Sequence, residues 1–182
     1  MIEIRLAAAA DAAGIRDIYA PYVHDTAITF DYEVPSVSDF EAKITETLKR
    51  YPYLVAVEDD VIVGYACASC FKSKAAYDWA VEMTVYVRSD MKRRGIGRAL
   101  YSRLEEILAS QGVTNVNACI THPNPGSVAF HESMGYRTAA HFTSCGYKLG
   151  RWWDMIWMEK FIGEHKNPPE PFVPLGEVNS IE

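Results

Sequence analysis

Between Val81 and Leu108 a strand-like pattern runs into a basic turn carrying two glycines and leaves it as an amphipathic helix. Val81, Met83, Val85 and Val87 alternate with Glu82, Thr84 and Tyr86, the period of a strand. Lys92-Arg93-Arg94-Gly95-Ile96-Gly97-Arg98 follows, and then Ile96, Leu100, Leu104, Ile107 and Leu108 share one helical face, closed by Gly112. Glycines let the backbone turn sharply and come close to a ligand. The first turn of a helix offers unpaired N–H groups and the positive end of its dipole. The junction therefore suits a phosphate or pyrophosphate, with Arg93, Arg94 and Arg98 adding formal charge.

Other elements follow from the same periodicities. Ile2, Ile4 and Leu6 suggest a first strand. Ile15, Ile18, Tyr19, Tyr22 and Val23 suggest a helix starting near Asp11. A second helix carries Phe40, Ile44, Leu48 and Tyr51, with Ser38 and Glu41 as its expected capping box and Pro52 as its stop. Leu54–Val57 and Val61–Cys70 flank an acidic turn as a β-hairpin. Val116, Ala118 and Ile120 form a strand, Asn124-Pro125 opens a short helix ending at Gly135, and Tyr136–Thr143 and Trp152–Phe161 are the last strands. The order β-α-α-β-β-β-α-β-α-β-β predicts an α/β fold: a mixed, mostly antiparallel sheet flanked by helices. Residues 1–165 are expected to form one domain. Residues 166–182, rich in proline, are expected to form an extended surface tail.

Composition narrows the function classes. The 182 residues carry 18 Lys+Arg against 24 Asp+Glu, a formal charge of -6, which argues against nucleic acid or an anionic membrane as partner. No apolar run is long enough for a membrane span, and a cytoplasmic protein is expected. Cys67, Cys70, Cys119 and Cys145 are too few and scattered for a disulfide framework. Cys67-x-x-Cys70 has no second ligand pair, so no metal is expected and both are read as buried structural cysteines.

Three phosphate-binding patterns compete for the turn. A P-loop requires G-x-x-x-x-G-K-[ST], which is absent, and a dinucleotide fingerprint requires a third glycine where Leu100 stands. The remaining pattern is the acetyl-CoA loop of the GNAT acetyltransferases, Gln/Arg-x-x-Gly-x-Gly/Ala, with Lys92 in its first place. The surrounding segments extend that resemblance. Arg50–Ala56, Ala76–Val87, Asn124–Tyr136 and Gly146–Asp154 resemble, with their spacings kept, the phosphinothricin N-acetyltransferase group of this family.

The resemblance implies the GNAT acyl-CoA N-acyltransferase fold, in which a strand splays at a bulge, and acetyl-CoA as cosubstrate. It implies that Val85, Tyr86 and Val87 pair with the pantetheine arm, that Arg93, Arg94, Gly95, Ile96, Gly97 and Arg98 hold the pyrophosphate, and that Asn124 contacts the cofactor arm. An Asn-Pro turn or helix cap is the alternative for Asn124. Acetyl transfer needs a neutral amine, whereas even a peptide α-amine, with a pKa of about 8, is mostly protonated at neutral pH. Glu82 matches the family's general base, and His131 stands where many relatives have a tyrosine acid. Salt-bridged or packed side chains are the plainer alternatives for both. Phe30, Lys72, Lys74 and Tyr77 resemble substrate contacts. The acceptor implied is a small amino acid such as phosphinothricin, methionine sulfoximine or sulfone, acetylated by direct transfer in a homodimer. A peptide N-terminal acetyltransferase and a silent CoA-binding module are the alternatives.

Overall fold

A seven-stranded sheet in the order β1-β2-β3-β4-β5-β7-β6 organises the chain. A computed structural model describes residues 2–178; of the expected tail, residues 179–182 lie outside the described residues. The strands are β1 Glu3–Leu6, β2 Tyr53–Glu58, β3 Val61–Cys70, β4 Ala80–Val87, β5 Asn115–His122, β6 Arg137–Lys148 and β7 Arg151–Phe161. The helices are α1 Ala12–Asp25, α2 Val37–Leu48, α3 Ile96–Ser110 and α4 Pro125–Ser133. The architecture is the α/β one expected, with antiparallel pairing everywhere except between β4 and β5, which the α3 crossover joins in parallel.

Alternation along the central strands builds two cores. Leu54, Ala56, Ala66, Ala68, Val81 and Met83 face α3 and meet its buried stripe of Ile96, Leu100, Leu104 and Leu108. Tyr53, Val55, Tyr65 and Cys67 face the other way, onto Ile15, Ile18, Tyr22, Phe40 and Ile44 of α1 and α2. Three tyrosines stack across this second face. Tyr65 lies 5.9 Å from Tyr53 and 5.5 Å from Tyr86, ring centre to ring centre.

Several local details differ from expectation. The cap of α2 is Ser36 rather than Ser38. Ser36 Oγ accepts from the Asp39 N–H at 3.1 Å, and Asp39 returns a carboxylate to the Ser36 N–H at 2.8 Å. Asp has the reach for this reciprocal pair, so the box closes at Ser36, two residues earlier. Strand β6 runs to Lys148 because a register shift between Phe142 and Gly146 lets pairing with β7 resume. Cys67 is buried as expected, but Cys70 is exposed, since a spacing of three sends the two thiols to opposite faces. No helix among the described residues is long and apolar enough to cross a membrane.

After β7 the chain returns along the domain. Trp79 Nε1 donates to the Glu170 carbonyl at 2.6 Å, and the backbone N–H of Val173 donates to the Gln111 carbonyl at 2.8 Å. The buried Gln111 amide donates to the carbonyls of Arg50 and Val173 at 2.7 and 2.9 Å. Leu175 is 5% exposed and belongs to the α3-side core. Leu175→Ala is expected to cost about 2–3 kcal/mol, as cavity-forming truncations do. Urea unfolding midpoints measure this; a loss below about 0.5 kcal/mol, the scale of ordinary surface substitutions, contradicts the anchoring role.

Candidate active site

The centre of the site is a place where the sheet stops being a sheet. Strands β4 and β5 pair only from Ala80–Asn115 to Glu82–Asn117 and then part. Strand β4 meanwhile keeps unbroken register with β3 from Val81–Cys70 to Val87–Gly64, so the expected bulge is absent and divergence from β5 alone opens the gap. In an antiparallel ladder a residue's N–H and C=O point the same way and neighbours alternate. The Val81 carbonyl accepts from Asn117 Nδ2 at 3.1 Å, the Met83 carbonyl from Tyr101 Oη at 3.2 Å and the Val87 carbonyl from Tyr22 Oη at 2.6 Å. Odd-numbered residues of β4 therefore turn their backbone groups into the gap. Val85, between two carbonyls captured by side chains, presents its N–H and C=O to open space.

The gap belongs to a cleft of about 740 Å³. At one end lies the basic turn. Arg93 and Gly95 both adopt left-handed backbone, with φ of 64° and 80°; a Cβ on Gly95 would touch nothing, so the glycine is needed for conformation rather than space. Gly95 is the N-cap of α3 and has no side chain to satisfy the helix's first N–H groups, which lie at the cleft wall with Ile96, Gly97 and Arg98. Lys92 and Arg93 line the same end. Arg98 also reaches Ser133 Oγ at 2.8 Å. Arg94 does not line the cleft. Its guanidinium forms a two-pronged pair with Glu58 at 2.8 and 3.0 Å, tying the turn to the β2 end.

At the other end Glu82 projects from the last paired rung of β4. Its half-buried carboxylate makes no hydrogen bond or ion pair among the described residues. Burial raises its pKa above its ordinary value, opposed by the charges of Lys43 and Lys72. Cys119, Thr121, Met155, Ile28, Thr29 and Phe30 also line the cleft.

His131 lines the same cleft from α4 and is 4% exposed. Burial lowers its pKa, with the bond to Ser127 opposing, which favours the neutral ring. Nδ1 lies 2.8 Å from the Ser127 carbonyl, which can only accept, so the neutral ring carries its proton on Nδ1. Nε2 is then an acceptor, 3.1 Å from Tyr101 Oη, and the Tyr101 hydroxyl shares one proton between Nε2 and the Met83 carbonyl. Asn124 lines the cleft and also caps α4, its Oδ1 accepting from the Ser127 N–H at 3.2 Å. Its amide NH₂ makes no hydrogen bond among the described residues, so capping and ligand contact are compatible.

Lys72, Lys74 and Tyr77 do not line this cleft, although the Lys72 charge acts on Glu82. Lys72 lies 5.3 Å over the Phe71 ring, Lys74 precedes a short 3₁₀ turn, and Tyr77 lines a second cleft of about 620 Å³ near the chain's return segment. Conversely, Tyr101, Cys119 and Met155 line the site without being singled out by the sequence. The one available signal concerns Tyr101, which follows Gly97 by one helical turn. No group of three or more metal-ligating side chains occurs among the described residues.

Comparison with known proteins agrees with this geometry. The acetyltransferase (GNAT) domain profile matches residues 4–157. The phosphinothricin N-acetyltransferase of Streptomyces viridochromogenes is 37% identical over 178 residues, covering 97% of this chain and 96% of the relative. The L-methionine sulfoximine/L-methionine sulfone acetyltransferase of Salmonella typhimurium is 34% identical over 91% of this chain and 97% of the relative. The crystal structure of a GNAT superfamily phosphinothricin acetyltransferase from Sinorhizobium meliloti in complex with acetyl-CoA superposes with a TM-score of 0.88 at 29% identity, covering 98% of this chain and 99% of that one. With the basic turn, the parted strands and the profile match in agreement, the chain belongs to the GNAT family of acetyltransferases.

Proposed function

We propose that this enzyme acetylates the α-amine of a small amino acid, of the phosphinothricin or methionine sulfoximine and sulfone class, by direct transfer from acetyl-CoA. The observation that carries the reading is the unpaired, half-buried Glu82 carboxylate at the point where β4 and β5 part, in one cleft with the α3 N-terminus. The names of the relatives support the acceptor class.

Under this reading the pyrophosphate lies on the N–H groups of Ile96, Gly97 and Arg98, with Arg93 and Arg98 nearby and Arg94 holding the turn in place through Glu58. The pantetheine amides complete the ladder at Val85 and Val87, beside Tyr86, and the free Asn124 amide meets the arm. The Val85 N–H faces the thioester oxygen, where it stabilises the charge of the tetrahedral intermediate. Glu82 takes the ammonium proton directly or through a water, and the neutral amine attacks the thioester carbon. The C–N bond forms and the C–S bond breaks; the proton that the attacking nitrogen must still lose passes to the departing sulfur or to water, so that coenzyme A is released as the thiol. His131 is a poorer base than Glu82 because both ring nitrogens are engaged; its role is to hold the Tyr101 hydroxyl at the cleft wall.

The thiol that lines the cleft, Cys119, is consistent with the direct-transfer reading. Burial pushes the Cys119 pKa up to about 12, with the Glu82 charge adding to the effect. A raised pKa disfavours the thiolate that an acetyl-cysteine route needs. The Cys119→Ser enzyme is expected to retain turnover within about threefold of the parent, and mass spectrometry should find no acetylated cysteine during turnover. Loss of activity together with a trapped acetyl-thioester on the parent enzyme contradicts direct transfer.

Thiol release from acetyl-CoA across a panel of amino acids tests the reaction. Glu82→Gln should lower kcat/KM about 10²–10⁴-fold, the usual contribution of a positioned base. The pH profile gives a second readout. A base works only when deprotonated, so kcat/KM falls as pH drops through the Glu82 pKa. Because that pKa is raised, the acidic limb should lie at higher pH than for an ordinary glutamate, and the Glu82→Gln substitution should remove it. Full activity in this variant, or an unchanged limb, excludes Glu82 as the base.

A further inference from the structure

The segment between α1 and α2 contributes Ile28, Thr29 and Phe30 to the lining of the cleft that Glu82 also lines. This segment has no regular secondary structure, so side chains and the close approach of other elements must hold it. On one side Tyr19 of α1 does so. Its hydroxyl lies 2.5 Å from Thr29 Oγ1 and donates to Asp31 at 2.7 Å. The other side is held by β6, beyond the register shift that separates Phe142 from Gly146. Tyr32 Oη donates to the Tyr147 carbonyl, and the buried Lys148 ammonium donates to the Thr29 carbonyl at 2.9 Å.

Between these ties the Phe30 ring rests directly on Gly146. A Cβ at position 146 would stand 2.5 Å from Cζ and 2.9 Å from Cδ2 of the ring, and closer still to Cε2. Real Cβ contacts essentially never come below 3.0 Å. Gly146 is not one of the glycines with positive φ, so its smallness matters through space. No other glycine among the described residues leaves so little room for a Cβ.

We infer that Gly146 is a positioning residue for acceptor binding: by lacking a Cβ it lets Phe30 seat on β6, and that seating sets the width of the cleft that Phe30 and Glu82 both line. The inference rests on the proposed acetyl transfer for its kinetic consequences but not for its structural one. The turn is held by Gly95, Arg93 and the Arg94–Glu58 pair, none of which touches Phe30 or Gly146, so the effect should separate acceptor from cofactor. Any displacement of the ring, inward or outward, changes the space in which the amine must meet the thioester, and small misplacements of this kind are costly in rate.

The test uses the full chain with acetyl-CoA and L-methionine sulfone. Gly146→Ala should lower kcat/KM for the amino acid about ten- to hundredfold, mostly through KM, while acetyl-CoA affinity measured by calorimetry stays within about twofold. Phe30→Ala removes the clashing ring. In the Phe30→Ala background, Gly146→Ala should have almost no further effect, a strongly non-additive cycle. An additive cycle, or parallel losses of acetyl-CoA affinity, overturns the inference. Should the single Gly146→Ala chain not fold, the double variant must fold; if it does not, strand β6 rather than the ring needs the glycine, and the inference fails. Hydrogen exchange decides the structural step without activity: amides 28–32 should exchange about tenfold faster in Gly146→Ala than in the parent. Unchanged exchange overturns the positioning role. Absence of turnover in the parent enzyme with every amino acid refutes the proposed function alone.

Discussion

The parting of β4 from β5 after the Glu82–Asn117 rung is the constraint on which the site depends. A buried strand whose hydrogen bonds go unmade is costly, so the fold must answer for each group that the separation strands. Two answers come from tyrosines. Tyr101 takes the Met83 carbonyl and Tyr22 takes the Val87 carbonyl. Val85, midway, is left open. A sheet that pairs at one end and opens at the other is thus held open by side chains, and an amide-bearing ligand is what its remaining donors and acceptors match. The same divergence fixes both ends of the cleft. The α3 crossover must begin where β4 ends, which puts the glycine turn at the mouth. The last paired rung marks the apex, where Glu82 stands too enclosed to be an ordinary surface carboxylate and too open to be neutralised by a partner.

How much of this the chain advertises depends on whether the signal is local. Alternation in Val81–Val87, the stripe from Ile96 to Leu108, and the Asn124-Pro125 opening of α4 are each written in a short stretch of chain, and the elements appear where those patterns stand. The left-handed turn at Gly95 is likewise a local property of backbone angles. What the sequence conceals depends on contacts across long separations. Arg94 reads as a phosphate ligand beside Arg93, but Glu58, 36 residues earlier, claims its guanidinium. Tyr101 is one more aromatic on a helical face until Met83 and His131 meet its hydroxyl. Gly146 is unremarkable in sequence until Phe30, from the far end of the chain, is found lying on it. The α2 cap is the exception that is local and still misread. Ser36-x-x-Asp39 and Ser38-x-x-Glu41 are both plausible boxes, and only the exit of the chain from the preceding loop chooses between them.

Charge is arranged by the same logic of place rather than of total. A chain with a formal charge of -6 is an unpromising host for a polyanion such as coenzyme A if its field is averaged over the whole surface. At physiological ionic strength, however, exposed charges more than about 8 Å away are largely screened, so a ligand at the cleft mouth responds to what stands within a few ångströms. There it meets Lys92, Arg93, Arg98 and the positive end of α3. Of the acidic side chains among the described residues, only Glu82 lines the cleft, and it sits at the end away from the turn. Separation of the two signs along one groove serves both partners of the proposed reaction. The cationic end draws the nucleotide, while the lone carboxylate attracts an ammonium and then accepts its proton. Burial makes that second step possible. A fully solvated glutamate would bind the ammonium as a spectator and be too weak a base to deprotonate it, whereas the raised pKa of Glu82 narrows the gap between the two groups. The enclosure that raises the Glu82 pKa therefore contributes to its basicity as well as to the shape of the cleft.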